Sequence, residues 1–141
     1  MTKALALSLV LLAAVACGGD GLEGRSVLVD DTGLGDASDG GGWMLVLPAE
    51  RAPDLWAEVG EPDDLRRASF TLDQAAAEGL GGTLAEVDGD GDYALDATGP
   101  TLLCRLPEEA NSRGCAEIDL PTSGTVVTSF GEGGFNARVE D

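Results

Sequence analysis

The sequence predicts an all-β fold: a Greek-key-type β-sandwich of six to eight strands with a small helical insertion. Three observations predict it. From Gly81 onward, short runs of alternating apolar and polar residues are separated by Gly-, Pro- and Asp-rich turns about every 8–12 residues. Trp43 to Leu47 is a continuous apolar run ended by Pro48, the pattern of a buried strand. Helical spacing and helix punctuation are confined to residues 49–80.

The first twenty residues stand apart. Met1-Thr2-Lys3 carries one positive charge, and Ala4 to Ala16 is uncharged and almost wholly apolar. Thirteen such residues rise about 20 Å as a helix, short of the roughly 30 Å hydrocarbon core of a bilayer. The pattern is that of a signal peptide over 1–16, followed by a Gly-rich tether over 17–21 and one domain over 22–141. Ala14-Val15-Ala16-Cys17 resembles the lipobox of bacterial lipoproteins, with Ala14 where Leu is usual. The resemblance implies a diacylglyceryl group on the Cys17 thiol and palmitate-type acylation. It also implies export, with the chain held by lipid on the cell membrane or outer membrane. Two or three acyl chains make such an anchor durable where one would not.

Charge narrows the partners. Without the leader the chain has seven arginines and no lysine against 26 acids, a net charge of −19, and it has no histidine. That surface repels phosphate backbones, so no nucleic-acid partner is expected. The usual general base, nitrogen metal ligand and Schiff-base amine are all missing.

The elements follow in order. Leu22 to Asp30 reads as a first strand around Val27-Leu28-Val29, and Asp31 to Gly42 as a loop of turn formers. Trp43 to Leu47 is a buried strand, with Trp43 in its core. In the insertion, about 49–80, Pro53 opens a short helix that Gly60 closes, with Leu55, Trp56 and Val59 on one face. Thr71 is the expected N-cap of a second helix ended by Gly79, with Gln74 completing a capping box. These turns are expected to pack over a sandwich edge. Gly82 to Val87 and Asp92 to Ala97 alternate on either side of Asp88-Gly89-Asp90-Gly91 and read as a hairpin, with Tyr93 and Leu95 inward. Strands are then expected at Thr101 to Leu106, Cys115 to Leu120, Thr125 to Phe130 and Phe135 to Val139, the last with Phe135, Ala137 and Val139 inward.

The run Asp88 to Leu95, with Gly99-Pro100-Thr101-Leu102-Leu103-Cys104 after it, resembles the D-x-D-G-x-Y-x-L signature of carboxypeptidase regulatory-like domains. Asp88, Asp90, Gly91, Tyr93 and Leu95 carry the match, and Thr101 stands where an aromatic is usual. The resemblance implies a transthyretin-like sandwich in which the Asp-Gly turn is a hairpin and the Tyr and Leu are core. It implies a non-catalytic module that contacts proteins or sugars.

Few residues point to chemistry. Cys104 and Cys115 fall on sequential strands, and an exported chain would pair them in a disulfide. Cys17 is then the odd cysteine, which lipidation explains. Asp88, Asp90 and Asp92 could hold Ca²⁺ in a loose site with Asp36 and Asp39. The EF-hand pattern is excluded, because its sixth and twelfth positions are Tyr93 and Gly99. Without that role the three aspartates form a polar turn. Trp56 is the surface candidate for stacking a sugar. Acid pairs such as Glu108/Glu109 or Asp63/Asp64 could serve a carboxylate-only hydrolase, though chance pairs are expected among 26 acids. The serines lack a histidine partner. The leading expectation is a non-enzymatic, membrane-anchored envelope module whose partner is a protein or glycan. The alternative is a Ca²⁺-dependent or carbohydrate-binding adhesion module.

Overall fold

A computed structural model describes residues 22–29, 36–108 and 113–140. The leader, Cys17, the tether and Glu109 lie outside these residues, as do Asp30 of the expected first strand and residues 31–35 of the loop expected over 31–42. The described chain is a two-sheet β-sandwich with a helical layer on one sheet. The strands are β1 Leu22–Leu28, β2 Ala37–Ser38, β3 Trp43–Pro48, β4 Thr83–Glu86, β5 Asp92–Leu95, β6 Gly99–Leu106, β7 Cys115–Leu120, β8 Gly124–Gly131 and β9 Gly134–Glu140. All but β2 have four residues or more.

The first sheet runs β2-β1-β8-β9, with β5 also paired to β1, and the second runs β4-β3-β6-β7. The chain changes sheet four times, and β1 lies parallel to β8. Met44, Val46, Tyr93, Leu95, Leu103, Val126 and Phe135 meet between the sheets. Tyr93, Leu95 and Phe135 thus point inward as expected, whereas Ala137 is half-buried and Val139 is exposed as the last strand leaves the core.

The central strands of the second sheet are buried on both faces, so each face needs a cover. Leu45, Leu47, Leu102, Cys104 and Leu106 point away from the inter-sheet core and pack under the helical segment with Leu55, Phe70 and Ala77. The insertion therefore covers a sheet face rather than an edge. It holds helix α1 Ala52–Val59, a 3-10 turn Leu65–Arg67 and helix α2 Gln74–Gly79. Pro53 opens α1 and Gly60, at φ +97°, closes it. The N-cap of α2 is Asp73 and not Thr71: the Asp73 carboxylate accepts from Ala76 N at 2.8 Å. Gly79 is the last helical residue, and Leu80 caps it.

The hairpin expected around Asp88 to Gly91 does not form. Strand β4 pairs with β3 in one sheet, and β5 pairs with β1 in the other. The Asp-Gly turn is a corner that carries the chain across the sandwich. Alternation fixes which face a side chain takes, not which strand lies beside it, so the two arrangements share one pattern. The corner docks on β1, where Ser26 N donates to Gly91 O at 2.7 Å. A Cβ on Gly91 would lie 2.5 Å from Ser26 O.

Cys104 and Cys115 face each other across β6 and β7 and form a disulfide, fully buried under the helical layer.

Candidate functional site: a pinned glycine loop and an exposed tryptophan

Thr101, Leu103 and Arg105 of β6 face the other sheet. Arg105 is fully buried, and Asp39 is 5% exposed. All five guanidinium N–H groups find acceptors. Nε donates to Asp39 Oδ2 at 3.1 Å, and Nη1 to the carbonyls of Trp43 and Leu106 at 3.1 and 3.3 Å. Nη2 donates to the carbonyls of Asp39 and Gly41 at 2.9 and 2.5 Å. Arg113 reaches the other Asp39 oxygen at 2.6 Å, and the Ser26 hydroxyl donates to Oδ2 at 3.1 Å. Burial pulls the Arg105 pKa down, and the Asp39 charge opposes it.

This network holds a loop. The carbonyls of Asp39, Gly41 and Trp43 converge on one buried cation, so Gly40, Gly41 and Gly42 are fixed by an anchor behind them. Two of these glycines are required by close approach. A Cβ on Gly40 would sit 2.4 Å from Gly89 O, and one on Gly42 the same distance from Leu106 O. Backbone bonds complete the seam: Gly41 N donates to Val87 O at 3.2 Å, and Val87 N to Gly42 O at 2.9 Å.

In front of the loop lies a cleft of about 450 Å³, lined by Gly40–Gly42, Trp43, Glu86, Gly89 and Glu108. Trp43 is 40% exposed. Sequence reasoning placed it in the core because it begins an apolar run. It sits on the outer face of the second sheet, in line with Leu45 and Leu47, at the end away from α2.

The residues singled out by sequence are scattered. Asp88 Oδ1 accepts from the backbone N–H groups of Asp90 and Asp92, both at 2.9 Å, so this carboxylate organises its own turn. Asp39, considered as a further Ca²⁺ ligand, has both oxygens engaged by Arg105, Arg113 and Ser26. Among the described residues, no group of three or more acids or cysteines is placed to hold a metal ion. Trp56 is half-buried, with its ring edge-on to Phe70 at 6.2 Å, and lines a different cleft with Glu61, Asp64 and Arg67. The Tyr93 ring lies against Gly24, its hydroxyl 3.0 Å from Thr128 Oγ1. Burial pushes the Tyr93 phenol up to about 12, against the Thr128 bond and the Arg105 charge.

No family model, no characterised protein and no solved structure matches this chain. No described helix is long and apolar enough to cross a membrane.

Proposed function

We propose that this chain is an exported, lipid-anchored envelope module that works by presenting a rigid β-sandwich to a partner, not by catalysis. One observation carries the reading. Cys104 and Cys115 pair with each other, which leaves Cys17, at the end of the apolar leader, as the single remaining cysteine. A disulfide suits an oxidising compartment, and an odd cysteine behind a signal-type leader suits acylation. The lipobox-like Ala14 to Cys17 and the likeness to carboxypeptidase regulatory-like domains in Asp88 to Leu95 support the same reading.

Strand β1 sets how far the cleft loop lies from the expected tether. β1 begins at Leu22, five residues after Cys17, a reach of about 17 Å at most. Leu22 lies beside Gly124 and Leu95 at one pole. The Asp39 loop lies toward the other pole, where Val27 pairs with Ser38 and Asp39 N donates to Ser26 O at 3.0 Å. Ser26 is four residues along β1 from Leu22, about 13 Å.

The test is acylation in a bacterial host. Labelled palmitate should enter the wild-type protein and not Cys17→Ser, and mass spectrometry should place the mature N-terminus at Cys17. An unmodified Cys17, or retention of Met1 on a cytosolic product, overturns the reading.

A further inference from the structure

We propose that the cleft between the pinned Gly40–Gly42 loop and Trp43 binds a cationic side chain, a lysine or arginine carried by a partner protein. The proposal rests on the display reading for its context, and on the cleft for its chemistry.

The cleft is built, not incidental. A buried arginine and a buried aspartate are costly to place between two sheets, and an apolar pair would stabilise the fold as well or better. What the ion pair adds is definition. Arg105 fixes three carbonyls of one loop, at Asp39, Gly41 and Trp43, and so fixes the wall behind the indole. A preorganised wall reduces the entropy lost on binding.

The lining selects charge. Apart from Val87, its side-chain groups are the indole of Trp43 and the carboxylates of Glu86 and Glu108, and no basic side chain lines it. Glu86 pairs directly with Trp43 across β3 and β4. The Glu108 carboxylate lies over Gly41, with its carbon 3.5 Å from where a Cβ would stand. Among the described residues neither glutamate has an ion-pair partner. Several of the loop's polar groups are already engaged: Gly41 N and Gly42 O are bonded to the Val87 segment, and the Asp39 and Gly41 carbonyls to Arg105. An anion would meet two carboxylates and no basic side chain here. A sugar would find acceptors but few donors. A guanidinium or ammonium group finds an aromatic face and two carboxylates. The net charge, −18 for the full sequence, would draw a basic partner toward the module.

The experiment uses the full-length, isotope-labelled protein in detergent, titrated with a capped Gly-Gly-Arg-Gly-Gly peptide. Two tryptophans give an internal reference, since Trp43 lines this cleft and Trp56 does not. The Trp43 indole N–H resonance should shift saturably while that of Trp56 stays in place, and added salt should weaken the effect. Glu86→Gln/Glu108→Gln should reduce affinity about five- to tenfold, and Trp43→Ala about two- to fivefold. The charge-matched control Glu50→Gln/Glu58→Gln should bind as wild type does. Equal losses in the two double variants, shifts spread evenly over the acidic surface, or no shift at all would overturn the proposal. So would a chitotriose titration that moves Trp43 when the peptide does not. Repeating the titration on Cys17→Ser separates the two readings. Peptide binding that survives loss of acylation supports the cleft, and an acylated protein that binds no peptide counts against the cleft alone.

Discussion

The two faces of strand β6 are buried by opposite means. Leu102, Cys104 and Leu106 point outward into an apolar cluster, closed by the helical layer and stapled by a disulfide. Thr101, Leu103 and Arg105 point inward, and there the strand ends in an ion pair with every donor engaged. The outer face could be rebuilt with other apolar residues of similar volume at modest cost. The inner face could not without losing its loop geometry, which depends on five directed hydrogen bonds. Apolar burial supplies stability with little positional demand, and ionic burial supplies position with little net stability. The ionic solution lies at the pole that carries the exposed cleft.

The largest effect tests that contrast directly. Arg105→Met should destabilise the fold by about 3–5 kcal/mol, since it leaves Asp39 underpaired and three loop carbonyls without a donor. Arg105→Met/Asp39→Leu should recover most of this in chemical denaturation. Even so, the Trp43 resonance should broaden, because the loop has lost its anchor. A single variant that costs less than about 1 kcal/mol would show that the clamp is not what holds the loop.

On the outer face, Cys104→Ala/Cys115→Ala should cost about 3 kcal/mol, as expected for a loop of this length in the chain-entropy model. Here the cleft should be untouched, so the Trp43 resonance should keep its position while the melting temperature falls. If the resonance moves, the two faces of β6 are coupled and the contrast fails.

Tyr93 probes the middle of the inter-sheet core. A free phenol ionises near 10, and this one at about 12. The folded state keeps a proton that the unfolded state releases between those values. The stability tied to this burial is therefore complete below pH 10 and is lost as pH rises through 12. At about 1.4 kcal/mol per pH unit the loss is about 2–3 kcal/mol. The chain has one tyrosine, so phenolate absorbance follows Tyr93 alone. Its onset should coincide with unfolding; ionisation near pH 10 in a folded protein would contradict the buried geometry.

The sandwich was legible from the sequence because period-2 alternation and punctuated strands report burial locally. Tyr93, Leu95 and Phe135 take the faces expected of them, and strands form where expected at Cys104 and Cys115. The strand neighbours were not legible: β4 and β5 read as a hairpin because alternation is blind to whether a turn closes one sheet or crosses to another. The cleft was hidden for two reasons. Trp43 opens an apolar run, and nothing local shows that the helical layer stops short of it. Arg105 did give a signal, as a charge inside a strand that is otherwise apolar. Its partner Asp39 lies 66 positions away in a loop, and no spacing rule connects them.

The smallest effect concerns the helical layer, where sequence and structure differ by two residues. Asp73, not Thr71, caps α2, through an extended backbone (φ −92°, ψ 170°) that aims its carboxylate at Ala76 N. Both residue types can cap, but an ionised carboxylate also meets the positive end of the helix, which favours it over a hydroxyl. Asp73→Ala should cost about 1 kcal/mol, and Thr71→Ala only a few tenths. Because α2 contributes Ala77 to the cluster that covers β3 and β6, the loss at Asp73 should appear as faster hydrogen exchange in α2 and the neighbouring outer-face strands. Exchange at the Asp39 loop should be unchanged, since its anchor lies on the other face of the same sheet. Equal effects at residues 71 and 73 would mean that the cap is shared, and exchange spreading to Gly41 would mean that the two faces of β6 do not answer separately.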